Sequence, residues 1–435
     1  MRAALVILAV FAVYLNALLY GSFQFDDFNV IVNNPAVHSL DAWRAGLFSG
    51  IRPLLKLTYA ANWSLSGSPF GFHFFNIAVH AASALLVLRL SETFMEKNGV
   101  GKGFALFSAL LFALHPIQTE AVTYVSGRSS SLMAFFLFAS LFLYEKGRDK
   151  RPALAYIASS FFFLLAVGVK ETAVIFPFAL ILWDKAMGRG LRDSFKRQAA
   201  HWGLFLFAVL AILGSRGYNR FFTGIDAREL SSTVLSNING VAYLLSRFVS
   251  VKGLNIDPDL PVLTASSPLV PIEAAALAVL VIGGILLLVR RPWAGFGVLW
   301  LFLFLLPTNS IVPRLDIANE RHLYIGAFGV FLSFSVGVSR VAGKLDKRAV
   351  AAVGAVFLLI LGAFTVARNR DYRSETSLWE ATVKLSPAKP RAWNNLGFAY
   401  SAEGRKEEAR AAYSAALRLD PGYGKAERNL KALGD

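Results

Sequence analysis

Apolar residues along this chain gather into long blocks separated by short polar and basic gaps. The first block is Met1–Tyr20. Ten more lie near 72–90, 104–116, 130–144, 153–169, 172–183, 200–214, 270–289, 293–307, 322–340 and 349–367. A perpendicular membrane helix needs about 20 apolar residues. Several blocks are shorter, so their polar ends are expected to extend them. The pattern predicts about eleven transmembrane helices. Met1–Tyr20 lacks small-residue cleavage chemistry before Gln24 and is followed by further apolar blocks, so it is read as a retained span and not a signal peptide. A twelfth stretch, 239–251, is short and carries Arg247 and Lys252. It is expected to lie flat on the outer surface or to be re-entrant.

Beyond Arg368 the pattern turns soluble in character. Pro387 and Pro421 stand 34 residues apart, the tetratricopeptide period. Leu396, Gly397, Tyr400, Ala409, Tyr413, Ala416 and Leu417 fit its alternation of small and large packing positions. Residues 372–386 read as the second helix of an incomplete preceding repeat, and 422–433 as a closing helix. So short a stack buries little core and should lean on the membrane part or on a partner. The chain is therefore expected to be all-α. Residues 1–367 form a polytopic membrane bundle with outer loops 21–71, 215–269 and 308–321, and 368–435 a small repeat domain on the outer face.

Composition sharpens this picture. Hydrophobic residues make up 55% of the 435 positions and charged residues 17%, against roughly 45–50% and about 25% in soluble domains. That excludes a disordered chain and argues against an ordinary soluble enzyme. The absence of cysteine removes disulfides, thiolate metal sites and a cysteine nucleophile. The net charge of +16 would suit a nucleic-acid partner, but the basic residues sit mostly in gaps between apolar blocks, which argues against one. With eleven spans, Arg2, Lys97, Lys102, Lys146, Arg148, Lys150, Arg151, Lys185, Arg189, Arg192, Lys196, Arg197, Arg290, Arg291, Arg340, Lys344, Lys347 and Arg348 all fall on one side. The positive-inside rule makes that side cytoplasmic. The N-terminus is then inside, and the C-terminus and the three longer loops are outside.

Candidate chemistry lies on the outer side. Phe25-Asp26-Asp27-Phe28 places two adjacent carboxylates just past the first span. They read either as a helix stop in a wet loop or as a general base with a neighbour that fixes it. Arg52, Arg128, Lys170 and Arg321 each sit at an outer helix end, where each alone could snorkel. Four together suit a phosphate or pyrophosphate headgroup. His73, Asn76 and His80 share one helical face. Their spacing matches no known zinc motif, which leaves polar packing or contacts to sugar hydroxyls. Pro116 should break the third span, and on either side of it His115 and Glu120 are placed to hydrogen-bond a sugar, to orient Arg128 or to cap helix ends. Lys170-Glu171 reads as an adjacent ion pair and Arg321-His322 as the end of a further span. Glu171 and His322 join the residues that a sugar or acceptor would meet.

The ordered set resembles the transmembrane and tetratricopeptide-repeat (TMTC) O-mannosyltransferases over essentially the whole chain. The matching stretches are Phe25-Asp26-Asp27 with Asn33-Asn34-Pro35, Arg52-Pro53-Leu54, Gly71-Phe72-His73 with Asn76 and His80, and His115-Pro116-Ile117 with Thr119-Glu120-Ala121-Val122. Gly127-Arg128, Lys170-Glu171 and Glu320-Arg321-His322-Leu323-Tyr324 complete them. The resemblance implies a GT-C type membrane glycosyltransferase with a polyprenyl-phosphate sugar donor, either undecaprenyl or dolichyl. It implies inverting transfer to an acceptor hydroxyl on a protein or peptide at the outer face. The catalytic acid of that family maps to Asp26 or Asp27, with Asp26 preferred. Arg128, Lys170 and Arg321, with Arg52, would hold the leaving phosphate. No metal is usually needed in this branch, although a divalent cation serves in others. The array here is about one and a half repeats where animal members carry long arrays. So short an array cannot wrap an extended acceptor, and the compact size of the chain gives the expectation of a bacterial member in an inner membrane. A flippase for the lipid-linked sugar should show internal repeats with helices broken at matching positions. The sequence has neither. A non-catalytic scaffold would have no need of Asp26.

Overall fold

The computed structural model describes all residues except 48–49, 148–151, 224–228, 311–315, 344 and 435. Arg148, Lys150, Arg151 and Lys344 of the basic set therefore lie outside the described residues, as does the middle of the 308–321 loop. Among the described residues there are helices and turns and no strands. Each of the eleven apolar blocks is helical. In chain order the main helices are α1 (Arg2–Tyr20), α2 (Pro53–Leu65), α3 (Pro69–Lys97), α4 (Lys102–Leu114), α5 (Arg128–Lys146), α6 (Pro152–Val169), α7 (Phe176–Ala186), α8 (Ala199–Gly214), α9 (Leu230–Ser246), α10 (Leu269–Arg290), α11 (Pro292–Leu305), α12 (Leu323–Ala342) and α13 (Lys347–Asp371). The C-terminal unit adds α14 (Glu375–Leu385), α15 (Pro390–Ala402), α16 (Lys406–Leu419) and α17 (Gly424–Ala432).

Six of these helices are long and apolar enough to cross a bilayer alone, and up to eight spans result if each of two bent pairs is counted as one. One bent pair is α4 with Pro116–Val122, turned by 49°. Pro116 has no N–H to continue the helix, so the break falls where the sequence puts it. The structure differs from eleven independent spans at α6 and α11, which are shorter apolar helices, and most of all at α7. That helix begins only after the turn Glu171–Ile175 and has 11 residues, about 16 Å of rise, too short to cross alone. The stretch expected to lie flat or re-entrant forms the end of α9, a 17-residue helix packed beside α10.

Proline at the first helical position starts α2, α3 and α11, where its missing N–H costs nothing. The interior is packed with aromatic rings: Trp183, Phe296, Trp300 and Phe328 meet at centroid distances of 5.2–6.3 Å. Lipid tails are as apolar as these rings, so close packing and interhelical hydrogen bonds must hold the bundle. Ser140 donates to the Ser159 carbonyl at 2.8 Å, and Ser159 meets His201 at 3.0 Å.

The bundle has two distinct ends. Arg2 pairs with Glu92, Arg340 donates to the Asn98 carbonyl, and a Cβ at Gly188 would lie 3.6 Å from the Lys97 ammonium. These residues, from the set expected on one side or beside it, mark the far end. The opposite end carries Asp26, Arg52, Lys170, Arg321 and the C-terminal helices.

The last long helix runs on to Asp371, past residue 367, and Ser374 caps α14 through a reciprocal bond with Ser377. Gly397 makes the repeat possible: a Cβ there would sit 2.6 Å from the Tyr413 ring that α16 lays against α15. The unit leans on the bundle, as its small core requires. Tyr372, Leu378, Trp379, Ala392 and Leu396 share one apolar cluster with Tyr124 and Ile256. Arg391 grips Asp257 with two bonds of 2.6–2.7 Å and also reaches Asp316. Asn255 donates to Ser386 at 2.6 Å.

Candidate functional site

At the end opposite the Arg2 cluster, a cavity of about 110 Å³ opens among Asp26, Arg52, Tyr59, Ser126, Ser129, Lys170, Arg321 and His322. On physical grounds the sequence does not choose between Asp26 and Asp27, and only the family resemblance prefers Asp26. The structure separates them. Asp27 is fully buried. One of its oxygens accepts from the Gln24 N–H at 3.0 Å; the other accepts from the Ser126 N–H at 2.8 Å and from the Ser126 hydroxyl. Burial lifts its carboxyl to about 7, against the pull of the Ser126 and Gln24 bonds. Asp27 is thus a latch between the first loop and the start of α5. Asp26 is half-buried and lines the cavity. Its N–H donates to the Tyr124 hydroxyl at 3.0 Å, and its carboxylate takes no hydrogen bond from the described residues.

Three cations share that cavity wall. Arg52, at the N-cap of α2, forks onto Glu171 with bonds of 2.8 and 2.6 Å. Burial alone would raise the Glu171 carboxyl, but the Arg52 guanidinium overrides it and holds the group down at about 2. Glu171 therefore takes both bonds of its fork from Arg52, with the charge of Lys170 next to it as a smaller pull in the same direction. Lys170 donates to Ser130 at 2.9 Å. Arg321 is anchored by Glu120, which accepts its N–H at 3.0 Å and faces its guanidinium at 3.4 Å. Glu120 so orients Arg321, where the sequence had suggested Arg128.

Phe25 and Arg52 are the non-glycine residues with positive φ among the described residues, at +48° and +54°. Such a backbone costs on the order of 1–3 kcal/mol unless its surroundings hold it. Both flank this cavity.

Other expected site residues lie elsewhere. Arg128 is fully buried and does not line the cavity. It donates to Asn76, Thr58 and the Phe72 carbonyl at 2.7–3.2 Å and stacks on Tyr59, Phe72 and Phe75. Gly127 lets α5 begin so deep, since a Cβ there would meet the Glu120 carbonyl at 2.1 Å. Asn76 also reaches the carbonyls of Val122, Tyr124 and Val125. His80 binds the Tyr324 hydroxyl at 2.7 Å, and His73 is buried against Gly21. The shared face of His73, Asn76 and His80 exists, but it is used inside the bundle. His115 caps the turn Pro116–Gln118 by accepting from the Ile117 N–H. Among the described residues no three His, Asp or Glu side chains gather as metal ligands would. Tyr124, Glu375 and Trp379 were not picked out from the sequence. Their contacts to Phe25 and Asp26 span 98 or more positions, and no local pattern announces them.

These features define an all-α integral membrane protein with a polar cavity at one end, the end on which a tetratricopeptide-type helical unit docks. The tetratricopeptide repeat family matches residues 390–423. Along nearly its whole length the chain is similar to TMTC-type protein O-mannosyl-transferases. It is 25% identical to protein O-mannosyl-transferase F38B6.6 of Caenorhabditis elegans, over 93% of this chain and 61% of the relative. It is 26% identical to human TMTC1, over 95% and 55% respectively. It is 29% identical to mouse TMTC4, over 89% and 62%. The chain spans between half and about three-fifths of the length of the curated relatives it matches.

Proposed function

We propose that this protein transfers mannose, or another hexose, from a polyprenyl-phosphate donor to a Ser or Thr hydroxyl of a protein or peptide. The observation that carries this reading is the cavity in which one half-buried carboxylate, Asp26, faces three cations, Arg52, Lys170 and Arg321. Asp26 takes the proton of the acceptor hydroxyl as its oxygen bonds to the sugar's anomeric carbon. The bond from that carbon to the phosphate oxygen breaks, and the electron pair leaves on the polyprenyl phosphate. Attack opposite the leaving group inverts the anomeric centre. Lys170, Arg321 and Arg52 neutralise the departing phosphate. Asp27, engaged on both oxygens, keeps the Asp26 loop in register with Ser126.

A second feature supports a lipid-borne donor. A groove of about 760 Å³ runs between α7, α9, α10 and α11 and ends at Leu305, Leu306, Asn309 and Ser310. Phe304 and Thr308, next in sequence to Leu305 and Asn309, line a separate small cavity with Lys170, Arg321 and His322. A polyprenyl tail in the groove would bring its phosphate to the neighbourhood of these cations. The carrier is undecaprenyl or dolichyl phosphate. By the distribution of basic residues, the site end faces the periplasm or lumen and the N-terminus the cytoplasm. Arginine and lysine handle the phosphate charge, so transfer should survive chelation of divalent cations by EDTA. Purified protein incubated with labelled polyprenyl-phosphate mannose and an acceptor-protein extract should label protein, and Asp26→Asn should lose at least 100-fold of that rate. An unchanged rate in this variant would remove Asp26 from the chemistry.

A further inference from the structure

We propose that Glu375 and Trp379, on the first helix of the C-terminal unit, are positioning residues that hold the Phe25–Asp26 turn in its left-handed form. The repeat unit would then be part of the site and not an appendage. The proposal rests on Asp26 being the base.

The turn is held from two sides. From the bundle, Tyr124 accepts the Asp26 N–H and Ser126 fixes Asp27. From the C-terminal unit, one Glu375 oxygen accepts the Phe25 N–H at 2.8 Å. The other accepts the Trp379 indole N–H at 2.7 Å, which fixes the direction of the carboxylate. The Phe25 ring stands edge-on to the fully buried Trp379 ring at 5.1 Å, and Gln24 donates to the Tyr372 carbonyl at 2.5 Å. A phenylalanine does not adopt φ of +48° unaided. Three of these contacts, on two consecutive residues, come from a unit some 350 positions away. They converge on the residue just before the one carboxylate that lines the cavity. A merely structural dock would have no reason to grip the strained residue. The rest of the dock, through Arg391 and Ser386, holds other loops and leaves this turn alone.

The test uses the full chain in detergent. Amide exchange is read by mass spectrometry over peptides covering 22–30, and transfer is measured from undecaprenyl-phosphate mannose as probe. In Glu375→Ala, exchange over 22–30 should rise at least tenfold, with peptides of α5 and α12 unchanged. Its kcat should fall at least tenfold while the donor KM stays within twofold. Glu375→Gln keeps one acceptor oxygen and should fall between. If Glu375→Ala does not fold, Trp379→Phe keeps the ring but loses the N–H that orients Glu375, and it should move both readings the same way by less. Glu427→Gln on α17 should move neither. Unaltered exchange over 22–30 in Glu375→Ala, or faster exchange with wild-type kcat, would overturn the proposal. A wild type that transfers nothing from this probe would contradict the transfer reading instead, and the exchange readings would still decide whether Glu375 holds the turn.

Discussion

Two buried clusters of charge, one at each end of the bundle, use the same side chains to different ends. At the far end Arg189 binds both Glu145 and Asp184, Tyr144 and Gln198 complete Asp184, and Trp183 completes Glu145. The pocket beside it is lined by two acids, Asp184 and Asp193, and two bases, Arg189 and Arg197. Charge there is balanced, so nothing calls for a ligand. At the opposite end the cavity wall carries three bases and one acid. Glu171 and Glu120 steady two of the bases from behind without joining the wall. A wall on which basic side chains outnumber acidic ones, with a carboxylate that takes no hydrogen bond from the described residues, distinguishes a candidate reaction site from a structural network, and burial alone does not.

The comparison can be broken at either end. Arg189→Ala should be the most damaging change to stability, because it leaves two buried carboxylates unpaired. A loss of roughly 3 kcal/mol is expected, read as a lower melting midpoint, with donor affinity unchanged in protein that remains folded. If Arg189→Ala weakened donor binding as strongly as a cavity substitution, the two ends would not be separable. Next in size, Glu171→Gln should free Arg52 from its fork and weaken binding of farnesyl phosphate about tenfold, measured by calorimetry.

The Asp27 latch supplies a smaller, pH-dependent effect. Its folded pKa of about 7 lies above the ordinary 3.8. Between these values the unfolded chain has already released the proton that the folded chain retains. Stability from this group therefore falls as pH rises from about 4 to 7 and is level above that. Asp27→Asn should flatten that slope in the melting midpoint. If the slope persists in this variant, another group carries it.

Much of the fold was legible in the sequence because its signals are local. Every apolar block is a helix, Pro116 breaks the third, and the 34-residue spacing of Pro387 and Pro421 marks the repeat. The α7 block misled because Glu171–Ile175 forms a tight turn, which hydropathy does not register. The site was legible as a set of residue types but not as partnerships. Arg128 reads like Arg321, yet three aromatic rings and Asn76 enclose it. Glu171 reads as the partner of Lys170, yet binds Arg52 119 positions away. Asp26 and Asp27 are adjacent and identical, and only Ser126 and Gln24 tell them apart. Glu375 has no motif at all; its role comes from the docking of the C-terminal unit.

The basic side chains of this cavity's wall are proposed to receive a lipid-borne phosphate. Lys170→Met removes one of those charges at nearly constant volume and gives up the bond from Lys170 to Ser130. Titrating farnesyl phosphate into purified wild-type and Lys170→Met protein tests the claim most directly. At least a tenfold loss of affinity is expected in variant protein that remains folded. Equal affinity in the two proteins would contradict it.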